Sequence, residues 1–304
     1  MKLPVFAMAM AFLLGPVVAV ADDLEDAVQS LKEAAAKKDV DAIKTLVAKI
    51  RPMTTEIAAE AAPAAADEKK VWDERQAYAK TAVGYMDSVI VGMAMQSEPD
   101  VMIDLISTLE QQNPKSKALD QAYGPYLVAL KKSGATAKIP AIAEKALANL
   151  PDNDDLLTYM IESSMTRKQP DRALAYANRL TAALNKKAKP EGLAAADWDR
   201  KKNAELGYGY YVAGTISAEK GVYVAAEKNL RAALHLIQGQ PAMQGPALFY
   251  LGMANYQLGK MTLNKAKMLE AQKFSEQSMA IPGPFQGQAQ HNALVIKDEA
   301  AKMR

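Results

Sequence analysis

The stretch FYLGMANYQLGK, residues 249–260, decides how the chain is read. Gly252, Ala254 and Gly259 are small, whereas Leu251, Tyr256 and Leu258 are large, and their helical spacing describes a helix that lets a neighbour approach closely. Upstream, YYVAGTISAEKGVYVAAEKNLRAALHL, residues 210–236, repeats this chemistry across two helices: Tyr210, Ala213 and Gly214, a turn at Gly221, then Tyr223, Ala226, Leu230 and Ala233. After residue 260, Ala271, Phe274 and Pro282 continue the pattern in a second helix displaced by about seven residues. That displacement is two helical turns and leaves each side chain on its original face.

Both stretches resemble the tetratricopeptide-repeat family over about residues 204–285, and the chain is similar to exported bacterial repeat proteins with no assigned activity. The family template, started at residues 83, 120, 154, 207 and 245, gives steps of 37, 34, 53 and 38 against a family period of about 34. The resemblance implies an all-α fold, a right-handed α-solenoid of helical hairpins ending in a capping helix. On that reading residues 83–304 are the array, 185–203 an insertion it does not need, and 285–304 the cap, with one apolar stripe of Ala289, Ala293, Ile296, Ala300 and Met303. Ahead of it, Leu24, Val28, Leu31 and Ala35, then Ile43, Leu46, Val47 and Ile50, predict an amino-terminal hairpin over 22–55 that Pro52 closes; the alanine-rich 56–82 is expected as linker or helix.

The first residues predict a compartment. Lys2, the apolar run Val5–Leu14 and Ala19-Val20-Ala21 ahead of Asp22 form a secretion signal over 1–21, so the mature chain is expected in the periplasm or outside the cell, with no integral membrane span after cleavage. The absence of cysteine removes disulfides and cysteine-linked lipid. With 37 basic and 35 acidic residues, the net charge of +2 gives no whole-molecule field for nucleic acid or an anionic membrane.

Chemistry-bearing motifs are few. His235 and His291 belong to no metal pattern, no nucleophile elbow or phosphate loop occurs, and Asp154-Asp155 is explained by its position at a helix start. No enzyme, cofactor or metal is expected. The resemblance implies instead that first helices line a groove, carried here by Thr158 and Glu162, by Tyr208, Tyr211 and Thr215, and by Phe249, Met253 and Tyr256. Such an aromatic, methionine-containing trough suits a protein or peptide segment; the alternative is a small envelope ligand, a glycan or peptidoglycan fragment, held in a closed cavity. The lysine and asparagine by which some family members clamp a terminal carboxylate are missing from the matching positions.

Overall fold

The computed structural model describes residues 15–190 and 192–303, with side chains from Asp23 onward, so most of the expected secretion signal lies outside the described residues. Those residues form thirteen α-helices and two short 3-10 turns, and no strand occurs among them. The fold is all-α. The chain divides into two compact units, residues 1–139 and 140–304.

The first unit holds α1 (Gly15–Lys37), α2 (Val40–Ala59), α3 (Ala66–Ala94), α4 (Pro99–Gln112) and α5 (Tyr123–Lys132). Its core joins Leu24, Leu31, Ile43, Ile50 and Ile57 from the first two helices to Met86, Leu105, Leu109 and the fully buried Tyr123 and Tyr126. Pro52 does not close the second helix as its sequence suggests. α2 runs through it to Ala59, because Ile50 and Ile57, both buried, hold the helix against its neighbours on either side of the missing amide. The alanine-rich stretch becomes the end of α2, a break at 60–65 and the start of α3, which passes without interruption through residue 83.

The second unit holds α6 (Ile139–Asn149), which starts at the division, then α7 (Asp154–Thr166), α8 (Pro170–Lys186), α9 (Ala195–Glu219), α10 (Tyr223–Leu234), α11 (Pro241–Met261), α12 (Lys265–Met279) and α13 (Gln286–Lys302). From α7 onward each helix packs on the next, and α7 also touches α9, α9 touches α11, and α11 touches α13. Glycines set the closest approaches. A methyl group added at Gly214 would lie 2.6 Å from Leu230 Cγ and 3.0 Å from its backbone nitrogen, and one at Gly252 would lie 2.8 Å from Ser275 Oγ and 3.2 Å from the Ala271 carbonyl. Around these contacts Ala226, Leu230, Ala233, Ala247, Leu251 and Ala254 are fully buried.

One turn geometry recurs at five helix ends. Lys38, Gly134, Lys168, Gly221 and Leu263 all have φ between +51° and +77°, the left-handed conformation that ends a helix sharply. In each, the next amide donates to the carbonyl five residues back: Asp39 to Ala34 (3.1 Å), Ala135 to Leu130 (2.9 Å), Gln169 to Ser164 (2.9 Å), Val222 to Ser217 (2.8 Å) and Asn264 to Gly259 (2.9 Å). Only two of the five are glycine, so sequence alone marks fewer than half of them.

Candidate functional site

A groove of about 680 Å³ runs between α11 and α13 within the second unit and is open to solvent on one side. Phe249, Met253 and Tyr256, one helical face of α11, meet Gln288, His291, Asn292 and Val295 on α13, with Gln257 at the edge. No Asp, Glu, Lys or Arg lines it. Its polar groups are amides and an imidazole, which both donate and accept, and its floor is aromatic and thioether.

The three α11 residues expected from the sequence therefore lie together, with different roles. Phe249 is 9% exposed and stacks on Phe285, ring centroids 4.6 Å apart, while Tyr250 meets both rings edge-on at 5.3 and 5.4 Å. Phe285 is the cap residue of α13, so this aromatic trio fixes where that helix starts and hence the width of the groove. Tyr256 donates to Glu299 Oε2 at 2.9 Å and accepts from Lys260 at 3.1 Å, tying the far end. Met253 is half-buried and is the adaptable element of the floor.

The other five expected residues belong to α7 and α9, away from this groove's lining. Thr215 is buried and its hydroxyl donates within its own helix to the Val212 carbonyl at 3.1 Å. Tyr208 and Tyr211 are half-buried, and burial, followed by the charge of Glu162, pushes the Tyr208 phenol up to about 12. Glu162 is exposed, and the buried Thr158 hydroxyl has no hydrogen-bond partner among the described residues. On α13 the lining residues Gln288, His291, Asn292 and Val295 lie off the apolar stripe, where no local pattern marks them, whereas Ile296 belongs to it.

A second constellation joins α7 to α9. The side chain of Asn153 caps α7, accepting from the Leu156 amide at 2.9 Å, which leaves Asp154 and Asp155 in the first turn for other partners. Asp154, whose side chain is 2% exposed, meets Lys187 Nζ at 2.7 Å and Lys201 Nζ at 2.9 Å; Lys201 also reaches Asp155 at 3.0 Å and Glu205 at 3.7 Å. Carboxylate oxygens of Asp154, Asp155 and Glu205 lie within 4.8 Å of one another, the spacing of a cation site, yet the Lys201 ammonium already meets all three and Lys187 meets Asp154 as well. Burial, then the neighbouring Asp154 charge, pushes Glu205 up to about 8. Burial also works to raise Asp154, but its two lysines outweigh it and hold that carboxyl below the ordinary range. Three carboxyls face two lysines here, and it is Glu205, the one furthest from Lys201, that burial and the Asp154 charge push toward holding a proton. Both lysines come from the segment 185–203 that the repeat pattern does not need. Compared with known proteins, the chain matches no family model, no curated protein and no solved structure.

Proposed function

We propose that this chain is a non-catalytic binding protein of the bacterial cell envelope. Its second unit is read as a right-handed stack of tetratricopeptide-like hairpins that takes an uncharged, extended protein segment in the groove between α11 and α13. One observation carries this reading: the groove combines an apolar floor at Met253 and Phe249 with a wall of neutral amides at Gln257, Gln288 and Asn292, and none of its lining residues is charged. A peptide backbone offers alternating donors and acceptors that side-chain amides can match on either count, while its side chains fill the floor. A charged ligand would find no counter-ion there. The open side favours a chain that passes through over a small molecule that must be enclosed. The repeated left-handed turn after α7, α9 and α11, together with the contacts of α7 with α9, α9 with α11 and α11 with α13, supports the stacked reading.

The test is selection from a displayed library of random peptides on the intact chain, followed by titration of the enriched sequences against Met253→Asp and Gln288→Ala/Asn292→Ala variants. Enriched peptides should be uncharged at their centre and should lose about tenfold in affinity to the double variant, two amide hydrogen bonds being removed. Enrichment of strongly charged peptides, or binding indifferent to all three substitutions, would refute the groove. Phe249→Ala is a poor probe, because it releases Phe285 and the start of α13.

A further inference from the structure

The turns after α7, α9 and α11, and the end of α13, lie side by side along one edge of the second unit. Cross-links between them establish the row: Lys220 pairs with Asp171 at the start of α8, Lys267 Nζ meets Glu227 Oε1 at 2.8 Å between the starts of α12 and α10, and Lys265 Nζ donates to the Met303 carbonyl at 2.7 Å. Four large apolar side chains project from this edge into solvent: Val222 is 53% exposed, Val224 70%, Met261 72% and Leu263 83%. Leu263 is the most exposed large apolar residue among those described, and it sits at φ +51°, where glycine would fit without strain. Neither local backbone preference nor the core accounts for a leucine at that point.

The charge around these side chains has one predominant sign. Residues 165–171, 219–227, 260–267 and 302–303 contain seven basic side chains (Arg167, Lys168, Lys220, Lys260, Lys265, Lys267 and Lys302) against three acidic ones (Asp171, Glu219 and Glu227), of which Asp171 pairs with Lys220 and Glu227 with Lys267. Glu299 faces the same edge through Lys260, at 3.4 Å. The chain as a whole, 37 basic to 35 acidic, has no such bias, so the cations are concentrated where the apolar tips are.

From this edge we infer that the second unit docks on an anionic lipid surface, with Val224, Met261 and Leu263 entering the headgroup boundary while the surrounding lysines meet the lipid phosphates. Isolated apolar tips ringed by cations match a surface whose outer layer is anionic and whose next layer is apolar. No helix among the described residues is long and apolar enough to cross a membrane, so the contact is with the surface. This inference stands whether or not the groove between α11 and α13 binds peptide.

The absence of cysteine makes a local test clean. Leu263→Cys, Val224→Cys and, on the exposed flank of α8, Asn178→Cys are each labelled in the full chain with an environment-sensitive dye and mixed with vesicles of phosphatidylcholine alone or containing phosphatidylglycerol. The dye should shift to the blue at 263 and 224 on anionic vesicles only, and not at 178; adding Lys168→Glu/Lys265→Glu should weaken the partition by about tenfold, and raised salt should weaken it as well. No shift at 263 on anionic vesicles, an equal shift on neutral ones, or an equal shift at 178 overturns the proposal. A shift that grows with protein concentration in the absence of vesicles also overturns it and identifies a second copy of the chain as the occupant.

Discussion

The α9–α12 hairpins and the α7–α9 junction are neighbouring parts of one unit, yet opposite chemistries hold them together. In the hairpins, Gly214 and Gly252 bring one helix down onto Leu230, Ala271 and Ser275 of its partner, and the surrounding residues are fully buried alanine and leucine. At the junction, Asp154, Asp155, Glu205, Lys187 and Lys201 meet in a network that is only partly shielded, Lys201 retaining 39% of its side-chain exposure. The first arrangement gains by excluding water and depends on shape. The second gains only while every charge keeps its partner, and that makes it the more fragile of the two.

The largest expected effect breaks that second arrangement. Asp154→Ala removes the common partner of Lys187 and Lys201 at a site 2% exposed. Breaking a fully buried pair costs several kcal/mol, but Lys201 can turn toward water, so a loss of about 2–3 kcal/mol is expected. Trp198, buried on α9 beside Lys202, reports it: urea unfolding followed by fluorescence in a Trp72→Phe background should show the lower midpoint. An unchanged midpoint would mean that the network contributes nothing to the junction.

Next in size comes a change to the first arrangement. Gly214→Ala forces a methyl group to 2.6 Å from Leu230 Cγ and 3.0 Å from a backbone nitrogen, and the second contact cannot be relieved by a rotamer change. Overpacking of this kind costs about 1–3 kcal/mol, partly offset by roughly 1 kcal/mol of better helix propensity, so a net loss of up to about 2 kcal/mol is expected in the same assay. A more stable variant would show that the helices stand further apart than this contact implies.

These two tests mark what the sequence could and could not reveal. Gly214, Gly252, Ala226, Leu230 and Ala271 were legible because each owes its place to a period within a single helix, and periodicity is a local property. Glycine by itself carries no such message: Gly84 and Gly92 in α3 face open space. The groove was half legible, because Phe249, Met253 and Tyr256 follow the helical period, whereas the α13 residues opposite them depend on how a helix starting 25 residues after α11 ends is seated by the Phe249–Phe285 stack. The charge cluster was not legible at all. Asp154 and Asp155 lie at a helix start, where capping accounts for them equally well, Glu205 lies inside α9, and the lysines lie 33 and 47 residues beyond Asp154, in a segment the repeat pattern treats as surplus.

The smallest expected effect sharpens the contrast, because it separates the proton from the ion pairs. Glu205, pushed up to about 8 by burial and by Asp154, keeps in the folded state a proton that the unfolded chain releases near its ordinary value of 4.5. Between those two values the folded state binds more protons than the unfolded one, so this group's contribution to stability is fully present below about pH 4.5 and is lost as pH rises toward 8. Asp155, also raised, acts in the same direction. Glu205→Gln substitutes a neutral amide that can still donate to Asp154. The whole displacement from 4.5 to about 8 would correspond to roughly 5 kcal/mol, but Lys201, 3.7 Å away and 39% exposed, can swing toward the ionised carboxylate and screen it, so at pH 9 the variant should exceed the parent chain in stability by about 1 kcal/mol, the advantage vanishing by pH 4. The glycine contacts carry no charge, so the Gly214→Ala penalty should be the same at both pH values. If Glu205→Gln instead weakens the chain equally at pH 4 and pH 9, the carboxyl is ionised in the folded state, and the junction is held by three full negative charges against two lysines.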